Sequence, residues 1–219
     1  MATIVQAAKS IFLLISALFP LVDPVGGSPI FLALTRSYTP ETRRILARRI
    51  AANSFLLLIV SFAIGSHVLS FFGISLPVVQ VGGGMLVTAA GWAMLKQKDD
   101  PDRTAAREAA SGADVLREAF YPMTLPLTVG PGSISVAITL GANGPHQWGA
   151  DVVSLIAAAI GSAFLAATVY ICYAFSDRLA LLIGQAGMNV IVRLSAFLLV
   201  CIGVQIVWNG ASTLLLSLR

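Results

Sequence analysis

The sequence predicts an all-α integral membrane protein, with six transmembrane helices in two inverted three-helix repeats whose first and fourth helices are broken. Three observations carry this. Hydrophobic residues make up 57% of the chain and charged residues only 11%, with a mean hydropathy of +0.87; a soluble domain carries roughly 25% charge. Six uncharged runs approach the roughly 20 residues that cross a bilayer. Two of those runs are interrupted by the same kind of Pro/Gly-rich segment, FPLVDPVGGSPIF at 19–31 and YPMTLPLTVGPGSI at 121–134.

The six runs are Ile11–Leu34, Ala51–Phe72, Val78–Leu95, Tyr121–Leu140, Val152–Phe175 and Leu194–Leu216. They are apolar all round and rich in Leu, Ala, Ile and Val, whereas the strands of a membrane barrel alternate polar and apolar residues over about ten positions. The first run is not read as a signal peptide, although Lys9 precedes it, because a second apolar half follows in place of a cleavage site and a polar domain.

Basic residues set the orientation. The connections after spans one, three and five hold 12 of the 14 Lys and Arg: Arg36, Arg43, Arg44, Arg48 and Arg49; Lys96, Lys98, Arg103, Arg107 and Arg117; Arg178 and Arg193. Only Lys9 and Arg219 fall on the other face, so the positive-inside rule places both termini outside. The net charge of +4 expresses that bias; with no interleaved exposed aromatics or known module, it predicts no nucleic-acid partner. Cys172 and Cys201 fall inside spans and read as small buried hydrophobes.

Residues 1–95 form the first repeat, 96–118 a charged cytoplasmic connector and 119–219 the second repeat. Phe19-Pro20 corresponds to Tyr121-Pro122 and Pro24 to Pro126 at an offset of 102; Gly26 and Ile30 correspond to Gly130 and Ile134 at 104; and Gly91 meets Gly203 at 112. Three spans per half is an odd number, so the second half enters the membrane with the opposite polarity.

Pro20, Pro24 and Pro29 cannot all sit in one continuous helix. Ser28-Pro29 reads as an N-cap followed by proline at the first helical position, and Ser133 reads as the cap of the corresponding half-helix after Gly130-Pro131-Gly132. Two half-helix N-termini then meet near mid-membrane, where their free N–H groups suit an anion such as a carboxylate. The glycines let a ligand approach the main chain. The predicted binding residues are therefore Asp23, Pro24, Gly26, Gly27, Ser28, Gly130, Pro131, Gly132 and Ser133.

Asp23 is the only acidic residue inside a span, and a carboxylate at that depth is costly unless something holds it. An ammonium group, a proton or a cation such as Na+ would each serve; the structural alternative is that Asp23 caps a broken helix end or pairs with a buried polar group such as Asn53 or Gln80. Asn53, Gln80 and Arg193 are candidates for lining or gating a path, with interhelical hydrogen bonding and interfacial anchoring as the plainer readings. Gly82-Gly83-Gly84 reads as a close-packing stretch. No cofactor is expected and catalysis has little support, since His67 and His146 are placed in outer connections with no nucleophile motif beside them.

These residues resemble the MarC family of bacterial inner-membrane proteins, also called the small neutral amino acid transporter (SnatA) family. DPVGGSPIFLALT at 23–35 is similar to the family pattern N/D-P-x-G-x-x-P-x-F-x-x-L-T, and GPGSISVAI at 130–138 to its G-P-G-A/S-I-S. The resemblance covers essentially the whole chain. It implies six transmembrane helices and transport of glycine, alanine and related amino acids, with multidrug or other small-molecule efflux as the alternative and a channel behind both. Asp at position 23 is one of two residues the family shows there.

Overall fold

The computed structural model describes residues 2–35, 38–96, 119–142 and 148–217. Among these residues every regular element is helical and none is a strand. The connector 97–118 and His146 lie outside the described residues.

Helix α1 (Ala2–Val22) carries Pro20 in its last turn, and α2 (Pro24–Leu34) follows after one non-helical residue, Asp23. Together they supply one candidate span, Ala7–Leu32. Helix α3 (Pro40–Phe71) begins well before the apolar run, because Thr39 caps it by accepting the Thr42 N–H at 3.3 Å and Pro40 takes its first position. His67 therefore lies in the last turns of α3, exposed, and not in a connection as expected. Gly73, at φ 66, turns the chain into α4 (Leu76–Lys96).

The fourth expected span, Tyr121–Leu140, is not one helix. It consists of a π-helical segment, Ala119–Thr128, and a short helix α5 (Pro131–Ala142). Tyr121 (φ −126, ψ 123) and Leu125 (φ −117, ψ 119) are extended within the first piece. Each precedes a proline, whose Cδ clashes with a helical conformation at the preceding residue. Among the described residues, five helices are consequently long and apolar enough to cross a membrane.

Helix α6 (Trp148–Ala174) is continuous, and α7 (Ser176–Leu216) is interrupted at Gly184 (φ 72, ψ 166), so its spanning part is Asn189–Leu216. The glycine conformation there is closed to most other residues.

The long helices pack in two groups, α4 with α7, and α3 and α1 with α6. The short helices are wedged between them: α2 packs on α6 and α7, and α5 on α3 and α4. The α4–α7 pair is antiparallel. Gly84 lies against Gly203, Gly91 against Ala196 and Gly210 against Pro77, with backbone atoms of one helix 2.6–2.8 Å from where a Cβ of the other would stand. Small residues let two helices approach this closely, and in a bilayer packing and hydrogen bonding replace the hydrophobic drive. Gly83 and Gly84 thus serve packing as expected, while Gly82 faces open space.

The core is formed by Leu18, Val22, Phe31, Ile50, Val129, Leu165, Val169 and Tyr173. Large apolar side chains such as Phe12, Leu56, Ile64, Leu86 and Leu198 face outward, which a bilayer accommodates and water would not. Cys201 belongs to this outer surface and Cys172 is half-buried, so the expectation of two buried thiols fails for Cys201. The acyl-chain environment is as apolar as the core, so apolarity alone does not tell the two apart.

Candidate functional site

Asp23, not Ser28, caps α2. It adopts the left-handed conformation (φ 41, ψ 64), in which its Oδ1 accepts the Gly26 N–H at 3.0 Å and Pro24 starts the helix. Positive φ is rare for a residue with a side chain, and Asp and Asn are the types that tolerate it. Pro29 lies inside α2, and Ser28, completely buried, donates its hydroxyl to the Cys172 carbonyl at 3.1 Å.

The corresponding correction applies to the second break. Pro131 opens α5, so Gly130 holds the cap position; its carbonyl accepts the Ile134 N–H at 3.2 Å and the Ser133 hydroxyl at 2.9 Å. With no side chain on the cap, the N–H groups of Gly132 and Ser133 have no acceptor within the helix. Gly132 packs against Val87, near the middle of α4.

Tyr173 joins the two breaks. It is fully buried, stacks on Phe31 of α2 with ring centroids 4.7 Å apart, and brings its hydroxyl to the Cα face of Gly27. The same hydroxyl meets Thr128 Oγ1 at 3.0 Å. Thr128 already donates to the Met123 carbonyl at 2.8 Å, so Tyr173 supplies the proton of their shared bond. Thr124 likewise donates to the Ala119 carbonyl and receives the Asn53 amide at 3.4 Å. The two threonine hydroxyls thus each serve a carbonyl five residues earlier in the π-helical segment.

The structure therefore assembles Asp23, Gly26, Gly27 and Ser28 with Thr128 and Tyr173. Asn53 bonds Thr124, so it is not the partner of Asp23. Gln80 lies against Gly210 and Arg193 is exposed on α7. Asp23 Oδ2 is sealed from solvent, and Ser195 of α7 is its neighbour: a methyl group on Gly26 would overlap Oδ2 and stand 2.7 Å from Ser195 Oγ. Sequence reasoning does not single out Tyr173, Thr124, Thr128 or Ser195. The repeated P-x-T of PMTLPLT at 122–128 is a usable signal for the threonines; nothing local marks Tyr173 or Ser195.

One end of the bundle is held by charge. Arg43 makes a two-oxygen contact with Asp177 at 2.5 and 2.6 Å and donates Nε to the carbonyls of Thr35 and Tyr38. Arg44 and Arg178 flank the Phe175 ring at 6.0 and 5.5 Å. The connections after α2 and α6 therefore share one face. Gly27 lies eight residues from Thr35 in sequence, about 12 Å at helical rise, so the Tyr173 junction is well inside a hydrocarbon core of about 30 Å.

A bundle of apolar spanning helices, with polar interruptions met only inside, defines a multi-pass integral membrane protein. The chain belongs to the MarC family: the model of the MarC family integral membrane proteins matches residues 8–215. It is 30% identical over 207 residues to the inner membrane protein MarC of Salmonella typhimurium, covering 92% of this chain and 94% of that one. A membrane protein of Archaeoglobus fulgidus is 29% identical over 203 residues, 93% and 92% of the two chains, and the MarC protein of Escherichia coli O1:K1 is 31% identical over 208 residues, 92% and 94%. No solved structure matches the chain.

Proposed function

We propose that this protein is a secondary transporter of small neutral amino acids, glycine and alanine, in the inner membrane, working by alternating access between two inverted three-helix repeats with periplasmic termini. The observation that carries the reading is the exchange of the two short helices. Each packs on the second and third long helices of the other half, α2 on α6 and α7, α5 on α3 and α4, and one tyrosine hydroxyl touches both breaks. In this reading α1 with α2, and the π-helical segment with α5, are the broken first and fourth of six membrane helices. The α4–α7 seam lies on the pseudo-two-fold axis: at an offset of 112 the Gly84–Gly203 contact maps onto Gly91–Ala196.

The N–H groups of Gly132 and Ser133 take the substrate carboxylate, since a helix N-terminus favours an anion. Carbonyls and hydroxyls of the opened backbone around Thr124 and Thr128 take the ammonium, with Asp23 serving the ammonium or a coupling ion, H+ or Na+. The Cα faces of Gly26, Gly27 and Gly132 are filled by Asp23, Tyr173 and Val87. The described conformation is thus a closed one, and the site opens when α2 and the π-helical segment part from Tyr173. No catalytic step is needed.

The test is counterflow in proteoliposomes across the twenty amino acids and a panel of amphipathic drugs. Saturable exchange of glycine and alanine is expected. Exchange of the drugs alone would replace the reading by efflux, and non-saturable flux by a channel.

A further inference from the structure

We infer that the outer face of α7 around Gln205 and Asn209 is an interface with a second copy of this chain. Gln205 is the central residue of the uncharged run Leu194–Leu216, eleven residues from either end, or about 16 Å at helical rise. Its side chain and that of Asn209, one turn on, are both exposed, and Gln205 Nε2 donates to Asn209 Oδ1 at 2.9 Å. That single bond leaves the Gln205 carbonyl and the Asn209 amino group without partners among the described residues. Polar groups at hydrocarbon depth are costly unless they are hydrogen-bonded. Acyl chains offer neither donor nor acceptor, and the headgroups lie about 15 Å from mid-membrane.

The other sides of α7 are taken. Gly203 and Gly210 face α4, and Ser195 faces the start of α2, whereas Cys201, Gln205, Trp208 and Asn209 are exposed on the remaining side. The spanning part of α7 is also the least covered of the five candidate spans. Ser212 and Thr213 return their hydroxyls to the Asn209 carbonyl and need no outside partner. The unmet hydrogen bonds on this face therefore belong to the two amides.

A second copy fits because the face complements itself. The Gln205 carbonyl needs a donor, the Asn209 amino group needs an acceptor, and one short stretch supplies both. A two-fold axis along the membrane normal brings each Gln205 carbonyl to the Asn209 amino group of the second copy and closes two identical bonds. Shape follows the same rule. A groove of about 420 Å³ runs between α4 and α7, lined by Met85, Thr88, Ala89 and Trp92 on one side and Val204 and Val207 on the other. Trp208, 64% exposed, stands one turn beyond Val204, and helical side chains lean toward the helix N-terminus, which brings the indole level with the groove. A projection and a hollow on one face are what an isologous contact requires. The face lies away from both breaks, so the inference stands apart from the transport reading.

Single-molecule photobleaching of protein carrying one dye on a terminal tag, diluted into liposomes, counts the copies that associate. Two-step bleaching is expected for the wild type, and single steps at every protein density would overturn the inference. Gln205→Leu with Asn209→Leu removes the amides, and both side chains are exposed and bonded only to each other, so an unchanged unfolding temperature in detergent is expected. The double variant should associate at least about tenfold more weakly; undiminished two-step bleaching would overturn the amide face. The chain's own thiols locate the contact. A short bifunctional maleimide should link two copies of Cys172→Ser through Cys201 and fail to link Cys201→Ser. Linkage through Cys172 alone would place the interface on another face and overturn this one.

Discussion

Replacing Gly27 by alanine sets a methyl group 2.5 Å from the Tyr173 hydroxyl, with the ring carbon Cζ next at 3.3 Å and Cε1 at 3.4 Å. The first distance is a clash and the others are tight contacts, so removing the hydroxyl by Tyr173→Phe should make room for the methyl group. Overpacking of this kind costs about 1–3 kcal/mol, and alanine in a helix returns about 0.5–1 kcal/mol relative to glycine. Gly27→Ala alone should therefore cost about 1–2 kcal/mol by that balance. Tyr173→Phe leaves Thr128 without the proton it receives at 3.0 Å while the stack on Phe31 stays, a loss of about 1 kcal/mol. Independent effects would sum to about 2–3 kcal/mol. The geometry predicts about 1 kcal/mol or less for the double variant, a favourable coupling of about 1–2 kcal/mol. Thermal unfolding of the detergent-solubilised protein resolves this, since a chain of this size shifts about 2–4 °C per kcal/mol. Simple additivity in the double variant would refute the contact and, with it, the junction between the two breaks.

Other substitutions test neighbouring parts of the bundle. At the α4–α7 seam, Gly203→Ala meets the Thr88 backbone nitrogen at 2.6 Å and the Gly84 carbonyl at 2.8 Å; it should lower stability by about 1–3 kcal/mol, while Gly82→Ala, facing open space, leaves the unfolding temperature unchanged or raises it. Thr124→Val and Thr128→Val each withdraw a donor from a carbonyl in the π-helical segment, for about 1–3 kcal/mol apiece, read in the same assay. At the charged end, Asp177 is half-exposed, so Asp177→Ala should cost no more than about 1 kcal/mol. Arg43→Ala should cost clearly more, because the carbonyls of Thr35 and Tyr38 lose their donor too. Equal melting temperatures for these two variants would contradict that ranking.

The breaks themselves are legible in the sequence because they are local events. Tyr121 and Leu125 are extended because a proline follows each of them, and Asp23 is a cap because its own carboxyl reaches a backbone N–H three residues on. The position of each cap is not legible in the same way. Ser28 and Ser133 have the composition of caps, yet Asp23 and Gly130, each directly before the proline that opens its helix, hold those places, and the serines turn their hydroxyls to carbonyls instead. Sequence patterning sees residue types that suit a cap; it does not see which of several suitable residues the chain reaches first. The glycines show the same division. Their freedom to be approached is expected, but the approaching atoms here belong to Asp23, Tyr173 and Val87.

By itself the sequence determined that the chain is a helical membrane protein, where its apolar runs lie, and that two of them are interrupted, since hydropathy and proline sterics act over a few residues. Tertiary structure alone decided that Tyr173 closes on both interruptions, that Ser28 is held by a carbonyl 144 residues away, that α4 and α7 meet through glycines, and that one oxygen of Asp23 is buried beside Ser195. Those outcomes depend on which surfaces come together when helices pack, and packing is a property of the whole set of helices, not of any one stretch of chain.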